Sequence, residues 1–156
     1  MRSLFIALMV CSLWACNDPS KGATSPETRV GLALLADQPI DVREKYFRLS
    51  KQIADLLEEA AGKGNDAAAM ALIEEFLSDN DLALEALYIQ FEGWQKHTSD
   101  EELVAFITRL NEQPYTRRIR NLGPRFRARV RYDPNYEAQM DRLLGYMTIY
   151  RGPIMD

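Results

Sequence analysis

Histidine occurs once, at His97, and cysteine only twice, at Cys11 and Cys16, in a chain of 156 residues. So small a supply of imidazole and thiol leaves little material for a metal centre or an activated nucleophile. Helical bundles that hold two irons need a Glu-x-x-His pair, whereas the residue three before His97 is Trp94. The loop signatures of phosphate binders, serine hydrolases and zinc proteases are missing as well, and Gly62, Lys63 and Gly64 are the nearest approach to a glycine-rich loop. Asp79, Asn80 and Asp81 start like a calcium loop, but its glycine and closing-acid positions hold Leu84 and Gln90, so the cluster reads as a helix break and cap. Adjacent acids at Glu58 and Glu59, Glu74 and Glu75, and Glu101 and Glu102 diverge by about 100° on a helix, which suits a solvated face better than a carboxylate pair around a scissile bond. No catalytic residue, metal ligand or cofactor is expected. An enzyme working through carboxylates is the weaker alternative.

Long apolar runs are equally scarce. The single one covers residues 4–14, behind the positive start of Met1 and Arg2. Eleven residues fall short of the roughly 20 that a membrane-spanning helix needs, and the layout is that of a secretory signal. The run closes on Leu13, Trp14, Ala15 and Cys16, which resembles the lipobox of bacterial lipoproteins. An ordinary secretory signal cut after Ala15 would leave Cys16 as an N-terminal thiol. The resemblance implies instead that Cys16 is acylated and anchors the mature chain to a membrane, with its domain outside the cytoplasm. Cys11, preceded by the bulky Val10, would leave with the signal, so no disulfide is expected. Residues 17–28 carry two prolines, four Ser or Thr and no aliphatic side chain larger than alanine. They read as a flexible tether reaching about 20 Å. The expected division is a signal peptide at 1–15, a lipidated tether at 16–28 and one helical domain at 29–156.

In that domain, apolar residues recur every three or four positions, the helical period. Residues 30–36 form a short apolar piece packed on the domain. Asp41 with Glu44 predicts a helix start and Gly62 with Gly64 its end. A second helix opens at Asn65 and breaks at residues 78–81. A third runs to about His97 through Leu84, Leu87, Tyr88, Phe91 and Trp94. Ser99 and Glu102 open a fourth, and Asp133 with Pro134 opens the last. Between the last two, arginines alternate with Phe126, Ala128 and Val130. This is a strand pattern without a partner strand, so a short helix starting at Pro124 is preferred. The expected architecture is an all-α bundle of five or six helices. Gly93, between Phe91 and Trp94, suggests a close approach to the backbone, with a helix crossing, a kink or an apolar cleft lined by Tyr88, Phe91 and Trp94 as the alternatives. The cleft would suit a carrier of a small hydrophobic ligand or lipid.

Charge is unevenly spread behind the net −4. Residues 41–102 hold fifteen acids and six bases, a balance of −9, and residues 103–131 hold eight arginines and one acid, a balance of +7. Arg117, Arg118, Arg120, Arg125, Arg127, Arg129 and Arg131 crowd into fifteen positions, with Tyr115, Tyr132 and Tyr136 nearby. Arginine suits bidentate recognition of carboxylate or phosphate. Three arrangements are open: pairing with the acidic helices of the same domain, a solvated face, or an outward patch that binds an envelope protein or an anionic surface. Nucleic acid is not an expected partner of an exported chain. The expected function is that of a non-catalytic cell-envelope lipoprotein that binds such a partner.

Overall fold

The Asp41 carboxylate accepts the backbone N–H of Arg43 at 2.8 Å. It thereby satisfies one of the donors that every helix N-terminus leaves open. The first long helix, α1 (Val42–Ala61), follows from it in a computed structural model that describes residues 39–147 together with Leu32, Leu35, Ala36 and Asp37. The expected signal peptide, Cys16 and the expected tether lie outside the described residues. Along α1, Tyr46, Leu49, Ile53, Leu57 and Ala60 are buried at helical spacing. The Gly62 N–H closes the helix on the carbonyls of Glu58 and Glu59.

The other boundaries have similarly local causes. Asn65 Oδ1 accepts the N–H of Ala68 at 2.7 Å and opens α2 (Asp66–Asp79). Asn80, itself buried, donates from Nδ2 to the Phe76 carbonyl at 2.8 Å and marks the break before α3 (Asp81–His97). Ser99 caps α4 (Asp100–Asn111) through the N–H of Glu102. Asp133 caps α6 (Pro134–Gly145) through the N–H groups of Asn135 and Tyr136. The described residues contain no strand, and the fold is all-α.

The helix between α4 and α6 departs from expectation. It is not a short element starting at Pro124 but a seventeen-residue one, α5 (Pro114–Val130), with Pro114 in its first turn and Pro124 in its interior. An interior proline removes one backbone hydrogen bond and costs about 3 kcal/mol or more. The helix continues because Ile119, Gly123, Phe126 and Val130 form one buried ridge. Pro124 itself is exposed. The strand alternation of residues 125–131 is the incidental result of arginines on both shoulders of that ridge.

Helix α1 is the hub: α5 packs on it most extensively, and α2 and α3 also lie against it. Helix α6 bridges α2 and α5, while α4 makes a lighter contact with α5. Leu32, Leu35 and Ala36, which are helical, are buried in the main core. Lys45 ties them down. Its side chain is buried, and Nζ donates to the Ala36 carbonyl at 2.7 Å and to Gln90 Oε1 at 2.9 Å. A second, aromatic core gathers Tyr46, Phe47, Phe91, Phe106 and Leu110. Burial there pushes the Tyr46 hydroxyl well above the ordinary tyrosine pKa, and it donates to the Tyr146 carbonyl at 2.7 Å.

Glycine placement also corrects the sequence reading. Among the described residues, no atom outside the helix's own backbone and the chain neighbours lies within 4 Å of where a Cβ would sit on Gly93, so none of them makes a close crossing there. Gly123 fills that role: a Cβ there would sit 3.0 Å from Leu144 Cδ2, and the missing side chain lets α5 and α6 close on each other.

Candidate functional site

No Asp or Glu occurs between Glu112 and Asp133, so whatever compensates the arginines of α5 must come from other elements. At about 100° per residue, the ridge of Ile119, Gly123, Phe126 and Val130 points inward. Arg117, Asn121, Pro124 and Ala128 form the opposite strip, and all four are exposed. The other six arginines flank that strip.

Three of the seven pair with carboxylates of neighbouring elements. Arg118 reaches α1, where Nη2 lies 2.9 Å from Asp55 Oδ1 and Nη1 donates to Glu58. The Glu58 hydrogen bond is the main cause of a guanidinium pKa raised above its ordinary value. Arg127 forms a two-pronged contact with Asp141 of α6, Nε to Oδ1 at 2.7 Å and Nη2 to Oδ2 at 3.1 Å. Arg129 donates to Asp66 at the start of α2 and stacks over Phe126.

The remaining four have no carboxylate partner among the described residues. Arg120 donates to Asn111 Oδ1 at 2.8 Å. Arg131 donates to the Tyr132 hydroxyl at 2.6 Å and stacks 4.8 Å over its ring. Arg117 and Arg125 are exposed and form no hydrogen bond or ion pair with another described residue. Internal pairing and outward exposure therefore coexist on one helix, with three arginines paired to neighbouring carboxylates and four uncompensated among the described residues.

The tyrosines divide likewise. Tyr132, 82% exposed, stands at the end of the outer side. Tyr115 does not border it: it is half-buried against both cores, and burial, with Glu44 nearby, raises its hydroxyl pKa. Tyr136 is also half-buried against the main core.

Of the three residues expected to line a cleft, Phe91 belongs to the aromatic core, with Trp94 packed against it. Phe91 is fully buried, with ring centroids 4.7 Å from Tyr46, 5.2 Å from Trp94 and 5.5 Å from Phe106. Tyr88 is 40% exposed. Two grooves are formed elsewhere among the described residues. One groove, of about 350 Å³, runs between the start of α1 and α4 over Phe47 and Phe106. Arg43 crosses it to Asp41 at 2.5 Å and Glu102 at 2.6 Å, while Arg109 stacks over Phe47. A second, of about 380 Å³, lies between α2 and α6 and is crossed by the Arg142–Asp81 pair. The sequence reading missed both, because residues far apart in the chain build them.

Among the described residues, no three His, Cys, Asp or Glu side chains cluster closely enough to hold a metal ion. No described helix is long and apolar enough to cross a membrane. No family model, curated protein or solved structure matches the chain.

Proposed function

We propose that this chain is an exported lipoprotein, anchored through Cys16, whose helical domain binds an anionic partner through α5 and catalyses no reaction. The observation that carries the binding role is the group of four arginines, Arg117, Arg120, Arg125 and Arg131, left without carboxylate partners on a helix that contains no acid. Buried ridge residues hold that helix in one rotation, so the charges are presented on a fixed surface. Guanidinium groups suit carboxylate and phosphate oxygens. The anchor rests on the lipobox resemblance.

Two measurements test the reading separately. Fatty-acid labelling of cells should mark the wild-type chain and not Cys16→Ala; equal incorporation removes the anchor. Capture of the full chain on immobilised polyglutamate, a generic polyanion, should fall when Arg117, Arg120, Arg125 and Arg131 are changed together to glutamine. It should persist when Arg118, Arg127 and Arg129 are changed instead. Equal capture of the two variants removes the outer arginines from the function.

A further inference from the structure

We infer that the outer side of α5 docks on the phosphate headgroups of an anionic lipid surface, so that the domain lies against a membrane rather than hanging from one. The inference rests on the anion-binding reading above and names the partner. Its first support is the layout of the charge. At 1.5 Å per residue, Arg117 and Arg131 are about 21 Å apart along the helix. One small phosphate compound could meet two of the four guanidiniums at most, whereas a sheet of headgroups meets them all.

The second support is what lies between the arginines. A folded protein partner is held by a buried apolar or aromatic centre inside a polar rim. Here the centre is Asn121, Pro124 and Ala128, three short side chains on a convex helix surface, and all are exposed. Such a strip offers a protein no pocket and no anchor, yet it lets guanidiniums on either shoulder reach a flat layer of phosphates. The third support is Tyr132, 82% exposed beside Arg131. An aromatic ring with a polar tip suits the boundary between headgroups and acyl chains. Lipid, with charge everywhere and no required shape, fits this surface better than protein does.

The test is co-sedimentation of the full chain with vesicles of phosphatidylcholine alone or mixed with phosphatidylglycerol. The ratio between the two compositions cancels the apolar pull of the N-terminal segment, and comparison with the arginine variants, which share that segment, cancels its charges. Each basic group close to an anionic surface strengthens binding about fivefold, so wild type should prefer the anionic vesicles by about a hundredfold or more at low salt. The preference should collapse near 1 M salt, where screening acts within about 3 Å. Changing the four outer arginines to glutamine should reduce it to a few-fold, and changing them to lysine should retain most of it. The lysine variant separates loss of charge from loss of fold. The inference is overturned if wild type does not distinguish the vesicles, or if the glutamine variant prefers them as strongly as wild type. If that happens while polyglutamate capture still depends on the four arginines, the partner is an acidic polypeptide and the anion-binding reading stands. If polyglutamate capture is also unaffected, both readings fall together.

Discussion

Two glycines inside helices give opposite expectations for the same substitution. Gly93 lies within α3 with open space where its Cβ would be, and Gly123 lies within α5 with Leu144 Cδ2 3.0 Å from that point and Cδ1 at 3.5 Å. Neither has a positive φ, so alanine fits both backbones. Replacing a helical glycine by alanine gains about 1 kcal/mol, largely by narrowing the unfolded ensemble. Gly93→Ala should realise nearly all of it. With unfolding entropy near 2.1 cal/mol/K per residue, that raises Tm by roughly 4 °C in a domain of this size. At Gly123 the same gain is set against overpacking, which costs about 1–3 kcal/mol when a core cannot yield. Leu144 can yield in part, because it is half-buried and the contact is at the tip of its side chain. Gly123→Ala should therefore be neutral or destabilising by up to about 2 kcal/mol. Urea melts of both variants beside wild type measure the difference. Equal gains at the two sites would refute the close approach of α5 to α6, and a loss at Gly93 would refute the open surface of α3.

Three further outcomes follow from the packing. Phe91→Ala, which empties the centre of the aromatic core, should cost about 3–5 kcal/mol in a denaturant melt, and a cost below about 1 kcal/mol would mean the ring is not packed as described. Lys45→Met should free the segment at Leu35–Asp37 by removing the tie to the Ala36 carbonyl. Hydrogen exchange there should speed up by an amount equivalent to about 1–3 kcal/mol, and unchanged protection would count against the tie. The Asp41 carboxyl is held below its usual pKa of 3.8, chiefly by the Arg43 hydrogen bond. Its charge therefore adds stability above the unfolded pKa, and that increment fades as pH falls through the lower folded value. Asn at position 41 keeps the cap and removes the charge, so the stability gap between wild type and Asp41→Asn should shrink below about pH 4. A gap that widens on acidification would contradict the assignment.

Helix starts were legible in the sequence because their causes are local: Asp41, Asn65, Ser99 and Asp133 each cap a backbone N–H two or three residues away. What escaped depends on residues distant in the chain. Pro124 looks like a helix start when only its neighbours are considered, and it sits inside a helix because Ile119 and Val130 are buried on both sides of it. Phe91 and Trp94 look like a cleft until Tyr46 and Phe106, from two other helices, close on them. The glycine expected at a close approach was Gly93 and the one found there is Gly123, since the deciding side chain, Leu144, is 21 residues further on. The crowding of arginines was plain. Their division was not, because Asp55, Glu58 and Asp66 precede them by roughly sixty residues.

That division bears on how a charged surface persists on a stable fold. Pairs as exposed as those of Arg118, Arg127 and Arg129, with arginine side chains 35–49% accessible, contribute about 0–1 kcal/mol each. They do not hold α5 in place; its rotation is set by Ile119, Phe126 and Val130 in the core. What the pairs do is offset three of the seven charges on the helix. The outer arginines are spread out. Arg117 and Arg125 stand about 12 Å apart along the axis, and Arg125 and Arg131 about 9 Å. Those spacings match the screening length of about 8–10 Å at moderate salt, so most of the outer charges barely repel one another. A surface carrying negative charge along its whole width would still attract each of them. The closest pair, Arg117 and Arg120, is eased by the Asn111 amide oxygen on Arg120. An array of this kind costs the isolated domain little stability and gains its free energy only on contact, so neutralising the outer row should change binding far more than Tm.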